Sequence, residues 1–159
     1  MSGVDQAKAA EAFIALEADL LDHAEYQQWL DLWDDGGLYI IPIGEGDDFE
    51  DRLNYAYDDA AMRRMRVARL TSGQSMSANE AARTVRVTGR YRLLDSSADD
   101  VVNIRCAQTL TEYRRETLRT YAANVTFVLK PCDDGFRIQK KVVRLINSDG
   151  ALAGLTYLL

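Results

Sequence analysis

Glu17-Ala-Asp-Leu-Leu-Asp-His-Ala-Glu-Tyr-Gln-Gln-Trp-Leu-Asp-Leu-Trp-Asp-Asp-Gly-Gly-Leu-Tyr-Ile-Ile-Pro-Ile43 is the stretch whose reading decides the fold. Its helical pattern breaks at His23-Ala24, resumes, stops at Gly36-Gly37 and turns at once into a strand. Tyr26, Trp29, Leu30 and Trp33 fall at i, i+3, i+4 and i+7, so one face of a short helix carries both of the chain's tryptophans and must be buried. Leu38 to Ile41 is bulky and partly β-branched, and Pro42, which cannot donate to a ladder, marks its end.

Upstream, residues 5–22 place Phe13, Leu16, Leu20 and Leu21 on one stripe with Glu11, Glu17, Asp19 and Asp22 around it, an amphipathic first helix. Downstream, Gly44 to Asn54 is an acidic, aperiodic loop, expected to be mobile or part of a contact surface. Tyr55-Ala-Tyr57 suits a short strand. Asp58 and Asp59 supply an N-cap and first turn for a third helix, Ala60 to Leu70, ended by Thr71-Ser-Gly73.

From Ala82 the period changes to two. Val85, Val87, Gly89, Tyr91 and Leu93 alternate with Arg86, Thr88, Arg90 and Arg92, a strand with one apolar and one basic face. Leu94 to Asp100 is a turn, and Val102, Ile104, Cys106 and Leu110 alternate in the next strand before a charged bend or bulge at Glu112 to Glu116. Tyr121, Ala123, Val125, Phe127 and Leu129 define a further strand, which Pro131-Cys-Asp-Asp-Gly135 connects as a hairpin to Phe136–Ile146. Ser148-Asp-Gly150 is a last turn before the apolar end Leu152 to Leu159. Helices segregated from antiparallel strands predict an α+β fold in which a curved sheet closes over about three helices, with residues 1–159 as a single domain.

The formal net charge of -6 argues against nucleic acid or an anionic membrane as the main partner. No basic, apolar leader pattern opens the sequence and no apolar run has the length of a membrane span, so the cytoplasm is the expected location. Free thiols fit that location: Cys106 reads as a core hydrophobe and Cys132 as a turn residue.

His23 is the only histidine, which excludes a three-histidine zinc site, a two-histidine iron triad and a Rieske cluster on this chain. No glycine-rich phosphate cradle is present either. His23 suits a helix C-cap better than a general base, and Asp34 and Asp35 suit turn formers. A curved sheet over helices can still enclose a carboxylate that moves protons, and Trp29, Tyr39, Tyr57, Asp58 and Tyr91 are the candidates for such a pocket. The second class of function is an interaction protein: Arg63, Arg64, Arg66 and Arg69 crowd one helix, and Arg86, Arg90 and Arg92 line one strand. Guanidinium forks of this kind suit carboxylates of another subunit.

Three blocks together resemble the small, or β, subunit of aromatic-ring-hydroxylating Rieske dioxygenases. They are Glu17 to Pro42, then Tyr57-Asp-Asp59 with Met65-Arg-Val-Ala-Arg-Leu-Thr-Ser-Gly73, and last Gly135 to Ile146 with the end Gly154-Leu-Thr-Tyr-Leu-Leu159. The chain departs from the usual pattern around Asn79 and at Asn147. The resemblance implies the nuclear-transport-factor-2-like (NTF2-like, or cystatin-like) superfold, a cone of curved, mixed sheet around helices. It implies a non-catalytic structural role in aromatic catabolism, as a homotrimer within a hexamer of three large (α) and three small (β) subunits. The Rieske 2Fe-2S cluster and mononuclear iron are implied on the large-subunit partner, with no cofactor on this chain. Arg63, Arg64, Arg66, Arg69, Arg86, Arg90, Arg92, Leu158 and Leu159 are then the candidate interface. The competing expectation is a stand-alone isomerase, dehydratase or cyclase of the same superfold with a buried Asp or His base, or a small-ligand-binding module.

Overall fold

A computed structural model describes residues 2–72, 82–95 and 100–148. Helix α1 (Gly3–Asp22) starts at Ser2, whose hydroxyl accepts from the Asp5 N–H at 3.2 Å, and has Asp5 in its first turn. It stops in a Schellman-type reversal: Ala24 takes φ 56°, its N–H reaches the Leu21 carbonyl, and the Glu25 N–H reaches that of Leu20. The buried stripe is Ala10, Ile14, Glu17 and Leu21, at spacings of four, three and four, whereas Leu16 is 47% exposed. Of the expected stripe, Leu20 and Leu21 are buried and Phe13 packs against the core; Leu16 alone turns out, and Glu17 takes the inward place beside it.

Helix α2 (Tyr26–Leu30) lasts a single turn, and Trp33 already belongs to strand β1 (Trp33–Pro42) rather than to the helix. Trp29 and Trp33 meet all the same, edge to face at 5.4 Å, and Tyr39 joins both at 6.0 Å. The Gly-Gly pair lies inside β1, not before it, in an irregular segment that interrupts the β1–β6 register between Trp33 and Leu38. A Cβ at Gly37 would stand 2.7 Å from the Ile138 carbonyl oxygen and 2.9 Å from the Trp33 ring, so only glycine fits the approach.

Strand β2 (Asn54–Asp58) and helix α3 (Ala60–Thr71) follow, the latter capped by Asp59 accepting from the Met62 N–H at 3.0 Å. Four long strands complete the sheet: β3 (Arg83–Leu94), β4 (Val102–Arg114), β5 (Thr117–Cys132) and β6 (Gly135–Leu145). The sheet has six strands in the order β2-β1-β6-β5-β4-β3, antiparallel except for the β1–β6 pair. Sheet and helices thus interleave at β1 and β2 rather than separating cleanly, and the sheet is mixed, as the resemblance implies.

Two further expectations change. Glu112 to Glu116 is neither bend nor bulge: β4 runs on to Arg114, which pairs with Thr117, and Arg115 and Glu116 form a two-residue turn with φ of 51° and 63°. The Gly44–Asn54 loop is anchored rather than free, because Phe49, in a 3-10 turn (Phe49–Asp51), is buried against Ile40 and Val142 on the outer face of the sheet. The last turn and apolar end beyond Ser148, the segment around Asn79 and part of the β3–β4 turn lie outside the described residues.

Candidate functional site

The inner face of the sheet is filled by side chains. Trp29, Tyr39, Ile104, Cys106, Phe127 and Val143 are buried on it with α1 packed against them. At its centre, Glu17 from α1 meets Lys141 from β6 at 2.7 Å, and the Trp29 indole N–H donates to the same carboxylate oxygen at 2.8 Å. Both charged groups are at most 1% exposed. Burial lowers the Lys141 pKa while the Glu17 carboxylate opposes that shift. The rings of Tyr39 and Phe127 lie within 5.7 Å of its ammonium. Burial also pushes the Cys106 thiol up to about 11, so it is inert at neutral pH.

The sequence carried a signal for this pair. Glu17 falls on the helical period of Ile14 and Leu21, and Lys141 falls two residues before the inward Val143 and four before Leu145. A register shift in β5–β6 between Val128 and Leu129 moves Lys141 into that phase, where unbroken alternation from Phe136 and Ile138 would have put Lys140.

Three of the pocket candidates are neighbours: Tyr39 touches Trp29 ring to ring at 6.0 Å and is the cross-strand partner of Asp58. Trp29 and Tyr39 are core rings, Tyr91 shares a hydrogen bond of 2.6 Å with the Thr88 hydroxyl, and Tyr57 donates to Glu50 in the outer cluster of Ile40, Phe49 and Val142. Asp58 is fully buried yet committed, since the Arg66 fork holds both its oxygens. His23 is an exposed C-cap whose Nδ1–H donates to the Asp19 carbonyl at 2.9 Å; that bond and the Asp19 carboxylate raise its pKa. Among the described residues no cluster of three or more His, Cys, Asp or Glu is arranged to hold a metal ion. With a single histidine, the donor set fits neither a Rieske cluster nor mononuclear iron.

The arginine candidates divide. Arg63, 2% exposed, lies 4.1 Å over the Trp33 ring and donates to the Gly37 and Asp58 carbonyls, clamping the irregular part of β1. Arg66 is held by Asp58. Arg86 faces inward at the rim, where Asp22 accepts from its backbone N–H at 2.7 Å and from its guanidinium, and from the Thr84 hydroxyl at 2.9 Å. These three are turned to partners within the chain, whereas Arg64, Arg69, Arg90 and Arg92 are exposed; Leu158 and Leu159 lie outside the described residues. The apolar face of β3 is the outer one at Val85 and Val87, 63% and 66% exposed, because the basic side is drawn in by Asp22. A bulge between Gly89 and Arg92, with Arg90 at φ 55°, then changes the phase and brings Tyr91 against the core.

Among the described residues, two of the surface hollows are large. One, about 900 Å³ and open, runs along the rim between the end of α1 and β3, bordered by Ala18, His23, Val85, Tyr113 and Leu118. The other, about 680 Å³, lies on the outer face among Arg90, Arg92, Arg105, Asn124, Thr126 and Arg144. Arg105 and Arg144 were not among the sequence candidates, since they come from strands distant in the chain.

Residues 16–149 match the family model described as ring hydroxylating beta subunit. The small subunit of anthranilate 1,2-dioxygenase from Acinetobacter baylyi is 27% identical over 146 residues, covering 87% of this chain and 88% of that protein. The crystal structure of the β subunit of benzoate 1,2-dioxygenase from Burkholderia mallei superposes with a TM-score of 0.77 at 23% identity, over 94% of this chain and 95% of that one. An NTF2-like protein with a cystatin-like fold from Novosphingobium aromaticivorans gives 0.65 at 16% identity, over 91% and 84%.

Proposed function

The chain belongs to the ring-hydroxylating β-subunit family, and from that premise we propose that it is the non-catalytic small subunit of the oxygenase component of an aromatic-ring-hydroxylating dioxygenase. The observation that carries the non-catalytic part is the inner face: Trp29, Trp33 and Tyr39 occupy the space a proton-transfer enzyme of this fold would leave for substrate, and its central charges neutralise one another. That arrangement counts against a stand-alone isomerase, dehydratase or cyclase. Since neither iron centre fits the chain's donors, both are assigned to an iron-containing large subunit, and the small subunit supplies a scaffold. Exposed Arg64 and Arg69 on α3, Arg90 and Arg92 on β3, and the terminal Leu158 and Leu159 are the proposed contact residues, in a cytoplasmic hexamer of three large and three small subunits. None of its described helices is long and apolar enough to cross a membrane.

Co-expression with an oxygenase large subunit, followed by native mass and iron analysis, tests the proposal. An equimolar complex containing iron is expected. A small subunit that stays apart from the large one under co-expression contradicts it.

A further inference from the structure

The outer face of the sheet holds charge that no described residue answers with an ion pair. Arg92 on β3 stands directly opposite Arg105 on β4, a like-charge cross-strand pair that costs stability. Arg90, displaced by the bulge, borders the same hollow and donates to the neutral amide oxygen of Asn124. Among the described residues no carboxylate forms an ion pair with Arg90, Arg92 or Arg105. Arg144, at the far side of the hollow, does have one: Asp47 at 2.6 Å.

The opposite charge lies farther along the same face. Asp47, Asp48, Glu50 and Asp51 crowd the loop between β1 and β2, where Arg52 pairs with Asp48 at 2.6 Å while Glu50 and Asp51 form no ion pair among the described residues, and Phe49 fixes that loop over Ile40 and Val142. Asp47 keeps its side chain 93% exposed even while it meets Arg144. The strand order therefore puts a fixed acidic patch over β1 and β6 and a cationic hollow over β5, β4 and β3. Complementary patches at two different places on one molecule are what a head-to-tail, ring-closing contact requires. A trimer of identical chains is built from such contacts.

We propose that the hollow of Arg90, Arg92 and Arg105 seats the acidic loop, residues 47–51, of a second copy of this chain. The inference rests on the trimeric small-subunit reading above and adds the faces that meet. Guanidinium forks taking carboxylates bidentately would cancel the Arg92–Arg105 repulsion in the assembly.

Charge reversal tests it, with the small subunit prepared both alone and co-expressed with its large subunit, and with masses read by sedimentation and native mass spectrometry. The variants are R92E/R105E, E50K/D51K, and the two pairs combined in one chain. Either pair alone should raise the dissociation constant between small subunits by at least about tenfold, the scale of close interfacial charge pairs. The combined chain should recover assembly, because every contact then meets reversed charge on both sides; recovery also excludes misfolding as the cause. Unchanged association in R92E/R105E, or no recovery in the combined chain, overturns the inference. So does an R92E/R105E chain that keeps its contact with other small subunits and releases the large one, which would make the hollow the large subunit's seat. A wild-type chain that self-associates through these charges yet never binds a large subunit sinks the proposed function and leaves the inference standing.

Discussion

The Glu17–Lys141 pair on the inner face and the Arg92–Arg105 pair on the outer face belong to the same curled sheet, yet they treat charge in opposite ways. Inside, two opposite charges are taken wholly out of water and satisfied by each other and by the Trp29 indole. Such a pair adds little net stability over apolar packing, but removing one partner strands the other in a medium that cannot solvate it. Outside, two like charges face each other in water, where repulsion is screened and tolerable. A buried, self-sufficient charge has nothing left to offer a substrate. An exposed, unanswered one is available to a partner.

The contrast can be broken from its inner side first. Trp29→Ala deletes the ring that packs on Trp33 and Tyr39 and the donor to Glu17; equilibrium denaturation should show a loss of about 3–5 kcal/mol. Lys141→Met alone leaves Glu17 buried with only the indole donor, and a loss of about 3 kcal/mol is expected in the same measurement. Glu17→Gln combined with Lys141→Met removes both charges and should return stability to within about 1 kcal/mol of wild type. If the single and double variants are equally damaged, the two side chains do not act as a pair.

The outer side should respond with the opposite sign. Arg92→Thr relieves the repulsion with Arg105 and puts a good strand former at the position, so the isolated small subunit should gain about 0.2–1 kcal/mol in urea unfolding. A loss instead would mean that Arg92 is already satisfied within the chain. The smallest effect belongs to His23. Its pKa is raised in the folded chain above 6.5 by the bond to the Asp19 carbonyl and by the Asp19 charge. The stabilisation from its protonated form is therefore fully present below pH 6.5 and disappears as pH rises through the folded pKa. Thermal melts of wild type and His23→Ala should thus separate slightly below pH 6.5 and draw together as pH rises through the folded pKa.

Much of this was legible in the sequence, and the failures share a physical pattern. The Glu17–Ile43 stretch gave helix, break, short helix and strand, and the capping role of Asp59 was read from its residue type. Glu17, Arg63 and Lys141 were missed as interior residues because charge is expected to face outward, although the helical period placed Glu17 inside and alternation counted back from Leu145 placed Lys141 there. Strand β3 was read in one phase because alternation carries no mark of a bulge; Asp22, far away in the chain, decides which side turns in at Arg86, and Arg90 in a left-handed conformation resets it. The acidic loop looked free because one phenylalanine among carboxylates is a weak local signal, while its anchor, Val142, lies in the last strand. The cationic hollow could not be seen at all before β3, β4, β5 and β6 were placed side by side.

Turnover of the assembled oxygenase per bound iron, compared between wild type and the Glu17→Gln/Lys141→Met chain co-expressed with the large subunit, tests the non-catalytic scaffold most directly. The double variant removes the inner charges of the small subunit without emptying its core. Equal turnover per iron is predicted, even if less complex is recovered. A fully assembled, iron-loaded complex that has lost its turnover would contradict a purely structural role and place chemistry inside the curled sheet.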